Sequence, residues 1–330
     1  MKIQPSLLLL LLLAQLFSTT VEARVFTNKQ GREIDAEIIS VASPEVKIKR
    51  ADGKVFTMLI DTFTDEDQAF IRTWKLAGSP PEGAPPAPPT NSDLKPGETL
   101  KLDFPDLAPD RKGEPATCSV KLPGAYDPAK RYPLVVWLAG GDGGNQPGGG
   151  FVPEGDFVTA GLPFPKDANN PAQSNMVGEF DLIWEYHRAM LDEIHRHVPN
   201  IERSSSVIGG FSNGAHAIDG MLRVRGGKEG GLADYFAAFV LADGGGSDSA
   251  KGSYPSLKGK FAYCCYGETS PAAGIVPNAA KDFKGRGAET VLSEMAGTGH
   301  AFADFEQVKV KEWLVGTVLP ALRGGTAAGN

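Results

Sequence analysis

The stretch Val207-Ile208-Gly209-Gly210-Phe211-Ser212-Asn213-Gly214 decides how this chain is read. A short apolar run leads into Gly-x-Ser-x-Gly, and a helix-like segment follows. Small residues are needed on both sides of such a serine, because it occupies a strained corner between strand and helix and its hydroxyl must stay exposed. A serine hydroxyl is a poor nucleophile at neutral pH and requires a base within hydrogen-bond reach. The chain has 5 histidines. His300 stands in Gly297-Thr298-Gly299-His300-Ala301-Phe302, after the last strand-like run and before a closing helix, so the order is Ser then His. His187, His195 and His197 share one helical stretch and read as packing or surface residues. His216 follows Ser212 by one helical turn and is expected to point away from the hydroxyl.

Outward from this corner, short apolar runs at 132–138, 206–209, 236–242 and 261–266 alternate with helical patterns at 181–198 and 308–322. That alternation is the signature of an α/β sheet. The loop Leu138-Ala139-Gly140-Gly141-Asp142-Gly143-Gly144-Asn145 follows the first of these strands. Glycines let backbone amides approach a developing oxyanion, so Gly140 and Gly141 are candidate donors together with the Asn213 amide. The same glycine run lacks the Lys-Ser/Thr of a phosphate-binding loop. Beyond it, 144–179 is rich in glycine and proline and carries Phe151, Phe157 and Phe164. It is expected either to shape access to the site or to pack as a surface loop.

Residues 98–323 resemble the α/β-hydrolase superfamily, particularly secreted esterases similar to polyhydroxybutyrate depolymerases and to feruloyl or acetyl-xylan esterases. The resemblance is carried by Leu138 to Gly141, the turn around Ser212, Tyr266-Gly267-Glu268 and Gly299-His300. It implies an α/β-hydrolase sheet with flanking helices and hydrolysis of carboxylic esters through an acyl-enzyme, with no metal or organic cofactor. The substrate would be an ester, polysaccharide-linked or a polyester. Two departures stand out: Ala139-Gly140 replaces the usual His-Gly, and Ser270 occupies the place of the usual acid in Gly-x-x-Asp. Glu268 is the preferred substitute for that acid and Asp243, at the end of the 236–242 run, the alternative. A serine–histidine dyad or an inactive scaffold is the third reading. In the inactive case the protein would be a non-catalytic binding protein.

The N-terminal part differs in kind. Lys2, the leucine run from Leu7 to Leu13 and Val21-Glu22-Ala23 form a secretory signal pattern, with cleavage expected near Ala23 and a secreted or periplasmic protein as the result. The apolar run is too short to span a membrane, so no stable membrane span is expected. From 24 to 77 the pattern has period two: Ile34, Ala36 and Ile38 alternate with charged residues, as do Val46 and Ile48. Asp52-Gly53 signals a hairpin and Thr64 a helix cap before Asp65, Glu66 and Asp67. Arg24-Val25-Phe26-Thr27, Arg50-Ala51-Asp52-Gly53-Lys54-Val55 and Asp65-Glu66-Asp67-Gln68 give this stretch a resemblance to the Sla homology domain. That resemblance implies a small all-β barrel with one helix and a protein or peptide ligand.

Between the two parts, 78–97 holds three Pro-Pro pairs and is expected to be a semi-rigid tether. The last residues, 324–330, are expected to form a loose tail. Gly 40 and Pro 25 in 330 residues are above ordinary usage, and these segments and the glycine loops account for the excess. A net charge of -7 removes the basic footprint that nucleic-acid binding needs. Cys118, Cys264 and Cys265 do not make a disulfide framework; two packed thiols at 264 and 265, or one bond to Cys118, are the expectations.

Overall fold

The computed structural model describes residues 24–42, 45–50, 52–73, 94–153, 155–166, 179–224, 230–246 and 252–325. The expected signal segment, most of the tether and residues 326–330 lie outside them. The chain divides into two compact units, Met1–Pro85 and Pro86–Asn330.

In the first unit, strands β1 (Arg24–Thr27), β2 (Glu33–Ala42), β3 (Glu45–Arg50) and β4 (Val55–Leu59) form an antiparallel sheet in that order, followed by helix α1 (Asp65–Thr73). The period-two residues are the ones buried: Ala36, Ile38, Val46 and Ile48 join Phe26, Phe63 and Ile71 in one core. Gly53, at φ 83°, turns the β3–β4 hairpin, where left-handed backbone is cheapest for glycine. Asp67 fastens the helix to the sheet. Its buried carboxylate accepts from the Arg24 guanidinium (2.9 Å), the Thr27 amide (2.7 Å) and the Thr64 hydroxyl (3.2 Å).

The second unit is built on eight strands. These are β5 (Thr99–Asp103), β6 (Thr117–Lys121), β7 (Leu134–Leu138), β8 (Val158–Gly161), β9 (Val207–Phe211), β10 (Ala238–Ala242), β11 (Phe261–Gly267) and β12 (Glu289–Met295). Their order across the sheet is β12-β11-β10-β9-β7-β8-β6-β5. Strands β7 to β12 pair in parallel, whereas β6 is antiparallel to both β5 and β8. Parallel neighbours need crossovers, and the helices supply them. Helices α2 (Phe180–His197), α3 (Asn213–Val224), α4 (Leu232–Tyr235) and α5 (Val276–Gly285) are followed by α6 (Asp304–Trp313), a π turn (Leu314–Val318) and α7 (Leu319–Gly325).

Side chains alternate across the sheet, which produces two cores. Leu134, Val136 and Leu138 face the core that also holds Trp184, Met190 and Phe283; Val135 faces the one with Phe151, Val240 and Trp313. Each fully buried large apolar side chain stabilises the fold by about 1.5–3 kcal/mol. Phe151, Phe157 and Phe164 are buried too, so the described part of the glycine- and proline-rich stretch, 144–153 and 155–166, packs into the unit and contributes β8 to the sheet. Leu94–Gly97, expected in the tether, are docked here: Leu94 packs on the core and the Gly97 amide donates to Pro123 O at 2.8 Å. Gly324 and Gly325, expected in the tail, end α7. All three cysteines are free and buried. Burial pushes the Cys118 and Cys264 thiols up to about 12, which makes them inert at neutral pH.

Candidate active site

Strand β9 ends at Phe211 and α3 begins at Asn213, so Ser212 is the single residue of the corner. Its φ is 54°, a left-handed value strained for a side chain. The flanking glycines are required by space. A Cβ on Gly210 would lie 2.4 Å from the Gly214 carbonyl carbon, and one on Gly214 would lie 2.0 Å from Leu138 O. The helix therefore starts hard against the end of β7.

His300 lies between β12 and α6, and its Nε2 is 2.8 Å from Ser212 Oγ. Its Nδ1 is 2.5 Å from Asp243 Oδ2. Asp243 follows the last residue of β10 and also has left-handed backbone, at φ 51°. Its side chain is buried and fully occupied: Oδ1 accepts from the Gly267 amide at 3.0 Å, and Oδ2 from the Ser270 hydroxyl at 2.8 Å. Ser270, which stands where the resemblance led one to expect the acid, thus donates to a carboxylate that comes from the neighbouring strand.

Glu268 is placed differently from the expectation. Its Oε2 accepts from the Gly297 amide at 2.7 Å, and its backbone amide donates to Met295 O at 3.1 Å. It braces the loop that carries His300 without touching the imidazole. The reason is local: β11 runs to Gly267 and the chain turns at Glu268, level with the end of β12 (Gly267 pairs with Met295). Gly267 is needed for this approach, since a Cβ there would meet Gly299 O at 2.0 Å.

Gly140 passes directly over Ser212; an added Cβ would come within 3.2 Å of Ser212 Cβ. Gly141 has φ 58°, and its carbonyl accepts from Asn213 Nδ2 at 2.9 Å, tying the loop to the start of α3. The Asn213 backbone amide is at the helix N-terminus, where no intrahelical acceptor exists for it. Gly140, Gly141 and Asn213 therefore gather beside Ser212. Of the other histidines, His187 is buried with Nε2 against Pro163 O (2.8 Å), and burial lowers it to about 4. His216, expected to point away, makes a contact that sequence reasoning missed: Nδ1 accepts from the Gly245 amide at 3.1 Å.

A cleft of about 660 Å³ opens beside His300. Trp137, Phe151, Phe211 and Phe302 line it, with Trp137 and Phe302 stacked at 6.0 Å and Trp137 and Phe151 5.2 Å apart. The Phe211 ring lies 4.9 Å from the imidazole. Among the described residues no group of three or more His, Cys, Asp or Glu is placed to hold a metal ion. Among them, too, no helix is long and apolar enough to cross a membrane.

The strand order, the antiparallel β6 and the serine corner between β9 and α3 are those of an α/β-hydrolase fold. Several solved esterase structures are similar to the chain. A ferulic acid esterase of the anaerobic fungus Anaeromyces mucronatus covers 72% of this chain and 97% of its own at 17% identity, with a TM-score of 0.47. Esterase 2 of Thermogutta terrifontis covers 68% and 96% at 13% identity, with a TM-score of 0.45. A carboxylesterase of Bacillus cereus covers 66% and 93% at 14% identity, with a TM-score of 0.43. No family model and no curated protein matches the chain.

Proposed function

We propose that the protein is a serine hydrolase of carboxylic esters that works through an acyl-enzyme. One observation carries this reading: Ser212 Oγ, the His300 ring and the Asp243 carboxylate form a continuous relay of 2.8 and 2.5 Å at the end of the sheet. Ser212 Oγ attacks the ester carbonyl while His300 Nε2 takes its proton. Asp243 holds the proton on Nδ1, fixes the tautomer and stabilises the imidazolium that forms. The amides of Asn213 and of the Gly140-Gly141 loop receive the negative charge on the carbonyl oxygen. His300 then protonates the leaving alcohol. Water, activated by the same imidazole, attacks the acyl-enzyme and releases the acid and free Ser212.

The aromatic lining of the cleft supports an ester with a flat or apolar group next to its carbonyl, on a polysaccharide or a polyester. The resemblance of residues 24–77 to the Sla homology domain supports reading the first unit as a module for a protein or peptide ligand. The leader pattern supports export, with a mature protein starting near Arg24.

The test is labelling with a fluorophosphonate, which requires an activated serine. The intact protein is expected to be labelled at Ser212, and Ser212→Ala is expected to lose both the label and, by roughly 10³-fold or more, hydrolysis of nitrophenyl acetate. An unlabelled wild-type protein would instead favour the non-catalytic binding scaffold.

A further inference from the structure

The loop that carries Asp243 is unusual in its backbone. Three glycines, Gly244-Gly245-Gly246, follow the acid directly. Asp243, Gly245 and Gly246 have φ of 51°, 91° and 72°. Glycine loses more conformational freedom on ordering than any other residue, so such a loop stays in place only where its surroundings tie it down.

Two of the ties are close backbone packing. A Cβ on Gly244 would lie 2.5 Å from Ser212 O, and one on Gly246 would lie 2.5 Å from Ile275 O. The central tie is a hydrogen bond from the Gly245 amide to His216 Nδ1, at 3.1 Å. The His216 backbone amide donates in turn to Ser212 O at 3.0 Å. One residue therefore grips both the turn that bears the nucleophile and the loop that bears the acid. One turn further along α3, the buried Asp219 carboxyl accepts from the Gly246 backbone and the Tyr254 hydroxyl.

We propose that His216 is a positioning residue for the reaction: in its neutral form it locks the Gly244–Gly246 loop and so holds Asp243 at the distance His300 needs. This rests on the hydrolase reading above. An amide N–H pointing at Nδ1 requires a lone pair there, which places the ring proton on Nε2. Protonation turns Nδ1 into a second donor facing the amide and breaks the lock. Burial, and then the charge on His300, push His216 below its ordinary value, while Asp243 opposes them. The lock is therefore closed at neutral pH and opens as the pH falls below His216's lowered value.

Asparagine separates positioning from bulk packing, because its Oδ1 can stand where Nδ1 stands and does not titrate. The full-length wild type, His216→Ala and His216→Asn are compared for fluorophosphonate labelling, for thermal stability, and for kcat and KM on nitrophenyl acetate across pH. His216→Ala should lose about tenfold or more in kcat with little change in KM, the scale of a missing supporting hydrogen bond. His216→Asn should recover most of that loss at neutral pH, with KM again little changed. A wild-type kcat and pH profile in His216→Ala overturns the proposal, as does an asparagine variant as impaired as the alanine one. Those results with a labelled wild type leave the hydrolase reading standing; an unlabelled wild type overturns both.

Discussion

Asp243 and Glu268 sit one residue beyond adjacent parallel strands, and the two loops differ in almost every other respect. Asp243 is buried, has left-handed backbone and gives its carboxylate to the imidazole, a backbone amide and a hydroxyl. Glu268 is exposed and gives its carboxylate to one backbone amide in the histidine's own loop. Position beyond a strand end is thus not enough to bring a carboxylate to the imidazole. Burial, donors and aim decide it, and here the shorter side chain on the more central strand meets all three conditions.

Removing the charge from each acid is the sharpest way to break this contrast. Asp243→Asn keeps the volume but favours the wrong histidine tautomer, so kcat should fall by about 10³–10⁴-fold, measured on nitrophenyl acetate near pH 8. If Asp243→Asn stays within tenfold of wild type, the assignment of the acid fails. Next in size, Ser270→Ala deletes the hydroxyl that donates to Asp243 Oδ2. A hydrogen bond to a charged group is worth about 1.5–3 kcal/mol, so a loss of about tenfold in kcat is expected, together with a lowered melting temperature. Glu268→Gln is the smallest change, because the amide oxygen still accepts from Gly297; activity within about twofold of wild type is expected. A deeper loss there would mean that Glu268 does more than brace the loop.

The sequence made the corner legible because its chemistry is local. Gly210, Ser212 and Gly214 are fixed by contacts within a few residues and with the end of β7, and a five-residue pattern records them. His300 was legible through chain order and the glycines before it. Asp243 was legible only as the alternative to Glu268, because which carboxylate faces the ring depends on two left-handed residues and on which strand lies nearer the centre of the sheet. Strand order is a long-range property that no window of sequence contains. Strands β5, β6, β8 and β12 were not anticipated either. Val158–Gly161 is four residues inside a glycine- and proline-rich stretch, and Glu289–Met295 is an edge strand whose burial is too weak for a continuous apolar run. His216 left no trace in spacing, since its partner is a backbone amide 29 positions away.

The pairing of Phe211 with Ala242 places Ser212 and Asp243 side by side, each one residue past a matched pair, and the Ser212 amide donates to Ala242 O at 2.9 Å. The backbones that carry Ser212 and Asp243 are therefore about one interstrand spacing apart, about 4.8 Å as in any sheet. Such a spacing does not change when surrounding loops lengthen, shorten or drift in composition. The loops above the sheet can therefore differ in length and composition while the backbone interval between Ser212 and Asp243 stays the same.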